Sequence, residues 1–112
     1  MAFMKTTSSF SIGLGMGGEE TIAAARRALL ELGWPLLTQE PDRVTATEDV
    51  TRLHCHCQPI GVEVALAPAV DEQATLLIQA SVPGRGPIAS QHLREGTAVL
   101  ARRIRSLSGP PG

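Results

Sequence analysis

The chain has 112 residues, a hydrophobic share of 43% and a charged share of 19%, the signature of one globular domain that can bury a core without metal or disulfide staples. Its 10 basic and 11 acidic residues leave a net charge of −1, so no global field exists to hold nucleic acid or an anionic membrane. Phe3, Phe10 and Trp34 are the only aromatic residues, too few for base-stacking platforms, and no apolar run is long enough to span a bilayer; neither nucleic acid nor membrane is expected as a partner.

Residues 1–7 read as a flexible N-terminus, and Ser8 to Leu14 as a first strand with Phe10, Ile12 and Leu14 on one face. The apolar segment Phe10 to Met16 is short and broken by Gly13 and Gly15, a poor secretory signal, so a cytoplasmic location is expected. After the turn Gly15-Met16-Gly17-Gly18, Glu19 and Glu20 place acids in a first helical turn, where the macrodipole favours them. Ile22, Ala25, Leu29 and Leu32 recur at i, i+3, i+7 and i+10, a core-facing stripe with Arg26, Arg27 and Glu31 mostly off it. Gly33 ends this helix as a left-handed residue would, and Trp34 supplies the apolar contact of a Schellman motif.

From Pro35 the pattern changes from the helical to the strand period. Leu36 to Gln39 and Arg43 to Thr47 predict two strands around a Glu40-Pro41-Asp42 turn. Val50 to Cys57 alternates strictly, with Thr51, Leu53, Cys55 and Cys57 on one side and Val50, Arg52, His54 and His56 on the other. Beyond the turn Gln58 to Gly61, Val62, Val64 and Leu66 point one way and Glu63 the other; Ala74 to Ala80 predicts a further strand with Leu76 and Ile78 opposed to Thr75, Leu77 and Gln79. After Pro83-Gly84-Arg85-Gly86-Pro87, the spacing of Leu93, Leu100, Ile104 and Leu107 predicts a helix from Ser90 to Leu107, with Arg102, Arg103 and Arg105 near its negative end. Residues 108–112 read as a flexible tail. The expected core contains Ile22, Leu29, Leu32, Leu53, Leu76 or Leu77, Leu100 and Ile104.

The element order is β-α-β(4-5)-α, which predicts a single α+β domain over residues 8–107. Each helix carries one apolar stripe, so both most simply cover one face of a curved antiparallel sheet. This order of elements is similar to that of TATA-binding-protein-like and small helix-grip domains. The similarity is one of architecture, and no functional residue carries over from it.

Three segments could carry chemistry. Gly13-Leu14-Gly15-Met16-Gly17-Gly18 has the G-x-G-x-x-G spacing that brings backbone close to a pyrophosphate, with Glu40 near the position of the ribose-binding acid. The short alternating strands that follow do not continue a dinucleotide fold, so the segment is read as a strand-to-helix turn. His54-Cys55-His56-Cys57 offers metal-ligating groups, but strand alternation sends the histidines to one face and the cysteines to the other, below the three or four ligands of a zinc site. A disulfide between Cys55 and Cys57 would close a strained ring and is not expected. Arg52, His54 and His56 then form a polar strand face and a candidate ligand-binding surface. The third segment is Gly84-Arg85-Gly86, where helix N-terminal amides and one guanidinium could hold a carboxylate or phosphate, with Ser90 as N-cap and His92 in the first turn.

No Ser-His-Asp order or nucleophile elbow is present, and a Cys55 or Cys57 nucleophile has chain neighbours that point away from it. The expectation is a small non-catalytic binding or interaction domain, homodimeric, with no catalytic residue, metal or cofactor, taking a small anionic or apolar ligand. The alternative is a ligand-processing or metal-dependent protein that uses the face of Arg52, His54 and His56.

Overall fold

Sequence periodicity becomes architecture in a computed structural model that describes residues 5–49, 58–67, 74–84 and 86–108. The elements are β1 (Lys5–Gly13), α1 (Gly18–Glu31), β2 (Leu36–Glu40), β3 (Arg43–Thr47), β4 (Gly61–Leu66), β5 (Thr75–Pro83) and α2 (Pro87–Ser108). The strands form one antiparallel sheet in the order β1-β5-β4-β3-β2. The domain is therefore α+β, as its element order implies, and no helix occurs among the described residues between Asp42 and Ala67. The strand expected over Val50 to Cys57, with Leu53, lies outside the described residues.

Helix α1 has no side-chain cap on Gly17; Glu19 and Glu20 stand in its first turn beside the unpaired amides. Its far end is a Schellman motif: the Trp34 N–H donates to the Leu29 carbonyl at 2.9 Å and the Gly33 N–H to the Leu30 carbonyl at 3.0 Å. The same bonds fold Trp34 back into the core. Ile22, Ala25, Ala28 and Leu29 are buried, whereas Leu32, expected to be largely buried, is only partly so. It is the C-cap, already past the last turn that faces the sheet.

Alternation decides the faces of the strands. Val44, Ala46, Val62, Val64, Leu76, Ile78, Ala80 and Val82 are buried with Leu93, Leu100 and Ile104 of α2 in one core. Leu76 is the core residue of its pair; Leu77 points outward and is 44% exposed. Helix α2 lies close to the sheet because position 96 carries no side chain: a Cβ built on Gly96 would collide with Ile60 Cδ1.

Three boundaries differ from the sequence reading by three residues; one is the end of β5, which runs on past Ala80 to Pro83. β1 begins at Lys5, so residues 5–7, read with the flexible start, pair with Pro83, Val82 and Ser81. Tertiary pairing, not local propensity, orders that segment, and Thr6 Oγ1 adds a bond to the Gly84 carbonyl at 2.9 Å. Helix α2 begins at Pro87, so Ser90 is not its N-cap: the Ser90 N–H already donates to the Gly86 carbonyl at 3.0 Å. Proline suits the first helical position because its φ is preset and its missing N–H would be unpaired there.

Candidate functional site on the outer face of the sheet

Of the residues proposed from sequence, Arg52, His54, His56 and Arg85 lie outside the described residues, as do Cys55 and Cys57. Gly84 and Gly86 are described, with φ of 96° and 106°, a region that side chains rarely adopt. Their carbonyls are occupied in joining β5 to α2, by Thr6 and Ser90 respectively. The glycine-rich turn before α1 is likewise structural. Its Met16 carbonyl accepts the Ala74 N–H at 3.0 Å and the Thr21 hydroxyl at 3.4 Å. Glu40 is bound to Arg43 at 3.0 Å in the hairpin at the opposite edge of the sheet from β1.

The described surface carries a groove elsewhere, and strand alternation builds it. On the side away from the helices, register places Thr7 of β1, Ser81 of β5 and Gly61 of β4 in one row across the sheet. Ser9, Gln79 and Glu63 form the next row. Gly61 has no side chain, so the first row falls away beyond the Ser81 hydroxyl. Lys5 stands at one end, and the open groove has a volume of about 440 Å³, within the roughly 300–1,000 Å³ of small-molecule sites. Lys5 pairs with Pro83, one residue before Gly84, so the groove ends beside the loop that sequence singled out for an anion.

The charges of the groove are unequal. Glu63 accepts a hydrogen bond from Arg43 Nη1 at 2.9 Å, and the same guanidinium reaches Glu40 through Nε. The Glu63 carboxylate, and after it that of Glu40, raises the Arg43 pKa above its ordinary value. Glu63 is thus compensated, while Lys5 makes no ion pair among the described residues. Among the described residues, the groove presents one cation outside any ion pair, several hydroxyls and an amide. These residues were not singled out from sequence, although the alternating Lys-Thr-Thr-Ser-Ser of β1 and the polar phase of β5 were legible signals for them.

A second polar cluster lies where α2 meets the sheet. His92 Nε2 and Glu48 Oε1 are 2.7 Å apart, with side chains 17% and 16% exposed. Glu48 also accepts the Ile60 N–H at 3.3 Å through the same oxygen and donates its own N–H to the Ile60 carbonyl at 2.8 Å. This cluster ties α2 to the chain on either side of the β3–β4 connection, and it orients the imidazole. Sequence placed His92 near the start of the helix, but nothing local marks a partner 44 positions away. Among the described residues, no group of three or more His, Cys, Asp and Glu is arranged to hold a metal ion. No described helix is long and apolar enough to cross a membrane.

The sequence matches no protein-family model and no curated protein. Solved structures do share its fold. Protein MLL2253 from Mesorhizobium loti superposes with a TM-score of 0.65 at 14% identity, over 91% of this chain and 96% of that one. The di-domain ARO/CYC StfQ from the steffimycin biosynthetic pathway gives 0.64 at 9% identity, over 93% of this chain and 49% of that one. DynU16, a putative protein in the dynemicin biosynthetic locus, gives 0.63 at 16%, over 89% and 46%. The chain spans about half the length of the latter two. At such identities the likeness is one of fold, that of small α+β proteins in which an antiparallel sheet is covered by helices.

Proposed function

We propose that this chain is a small non-catalytic binding domain that holds a small anionic, hydrogen-bonding ligand on the outer face of its sheet. The observation that carries this reading is the groove of Lys5, Thr7, Ser9, Gln79 and Ser81, where Glu63 is paired and Lys5 makes no ion pair among the described residues. Its side chains supply hydrogen bonds around a cation, which is how a carboxylate or phosphate is recognised. The inner face supports it from the other side. Where Gly96 meets Ile60, α2 packs too closely for even an added methyl, so no guest fits between those two residues.

Orthophosphate, citrate and a hexose phosphate titrated into ¹⁵N-labelled protein provide the test. Saturable shifts are expected at Thr7, Ser9, Gln79 and Ser81. Lys5→Ala should weaken binding about tenfold, equivalent to about 1.4 kcal/mol for one exposed charged contact. Shifts confined to Leu93 and Leu100 would place the ligand inside the fold instead, and no saturable shift from any probe would remove the reading.

One observation favours a ligand-processing reading, at a place other than the expected face of Arg52, His54 and His56: on the helix side of the sheet, the carboxylate of Glu48 on one ring nitrogen orients His92 as general-base work requires. Recovery of the bound ligand unchanged after prolonged incubation supports binding alone. Conversion of a probe taken up on the helix side of the sheet, lost in His92→Gln and kept in Lys5→Ala, supports processing.

A further inference from the structure

The two edges of the sheet are built differently. β2, at one edge, is five residues long, shifts register between Leu36 and Thr38, and ends in the Glu40–Arg43 ion pair ahead of Pro41. Shortness, irregularity, charge and proline are the devices that keep an edge strand from pairing with another chain. β1, at the other edge, has nine residues in unbroken register with β5, no proline, and a single charge at its start, Lys5. Its outward-facing side chains are exposed, and on the helix side Thr6, Ser8 and Phe10 are only partly buried. Its second row of backbone amides and carbonyls faces no strand of this chain among the described residues.

We propose that β1 pairs antiparallel with β1 of a second copy, which joins the two sheets into one continuous sheet about a two-fold axis at Ser9. The strand's own sequence selects this occupant. A two-fold at Ser9 sets Ser9 against Ser9 of the second copy, Thr7 against Ser11, and Thr6 against Ile12. Hydroxyl meets hydroxyl on the outer face, and the only charge, Lys5, meets Gly13, so no like charges oppose each other. On the helix side each Phe10 faces Ser8 of the other copy, and the two Phe10 rings become diagonal neighbours, a spacing that aromatic side chains reach across. An isologous contact must be self-complementary in this way. The pairing leaves both copies of the polar groove on the same face of the joined sheet.

Sedimentation velocity from about 1 µM to about 500 µM reads the association by mass action. A concentration-dependent dimer is expected for the native sequence. Ser9→Lys, on the exposed face, sets two ammonium groups against each other at the axis and should weaken the dimer at least tenfold, while thermal unfolding at concentrations where both proteins are monomeric stays unchanged. Thr38→Lys on β2 should leave the dimer intact. If Ser9→Lys fails to fold, Ser11→Lys reads the same edge, with its new charge diagonal to Lys5 of the other copy. A native chain that stays monomeric over the whole range overturns the proposal, and so does a dimer weakened by Thr38→Lys and untouched by the β1 substitutions. Amide exchange gives the final check: slowed exchange along β1 on dimerisation is expected, and exchange slowed only on the helices would place the interface elsewhere.

Discussion

Leu76, Ile78, Ala80 and Val82 of β5 are buried beneath the helices, while Leu77, Gln79 and Ser81 of the same strand face away. The two faces share every backbone hydrogen bond of the sheet, yet they differ in what they contribute. The inner face removes apolar surface from water, at roughly 25 cal/mol per Å², and tolerates little change in volume. The outer face contributes little to stability, because its hydroxyls and amide remain hydrated when the chain folds. The comparison teaches that the groove can vary in sequence without cost to the fold, which is the condition for a binding surface.

Substitutions that break the inner face should have the largest effects. Ile78→Ala, Leu29→Ala and Leu100→Ala each remove a fully buried side chain, and each should lower unfolding free energy by about 2–5 kcal/mol, read from denaturant midpoints. A midpoint unmoved in all three would mean that the stripes do not form the core. His92→Ala removes one partly buried hydrogen bond and should cost about 1 kcal/mol in the same measurement.

The close approach of α2 gives a sharper test. Gly96→Ala gains up to about 1 kcal/mol of helix propensity but forces a methyl against Ile60 Cδ1, and overpacking costs about 1–3 kcal/mol. The net result should be a modest loss in the native background and a gain once Ile60→Val removes the obstructing methyl. A double-mutant cycle with no coupling between the two sites would show that α2 does not pack tightly on Ile60.

Arg26 tests the rim of the core. Its Nε is buried without a hydrogen-bond partner among the described residues, so Arg26→Met should be neutral or stabilise by up to about 1 kcal/mol. The smallest effects belong to the outer face. Gln79→Ala and Ser81→Ala should change stability by no more than about 0.5 kcal/mol, while Gln79→Ala weakens any anion that the groove holds. A large loss of stability from either would erase the distinction between the two faces.

The sequence by itself determined what the geometry of one element dictates. The 3.6-residue stripe of α1, its stop at Gly33 and Trp34, and the opposition of Ile78 to Gln79 follow from covalent geometry and local side-chain preference, so they were legible before any neighbour was known. Tertiary structure decided the rest. Sheet order puts β1 beside β5, which draws residues 5–7 into a strand that local propensity left flexible, and register lines up Thr7, Ser81 and Gly61 into a groove. The contact of His92 with Glu48 and the seat of Gly96 on Ile60 join residues 44 and 36 positions apart. Such pairings are selected by burial of surface summed over the whole chain, a quantity that no local window of sequence contains.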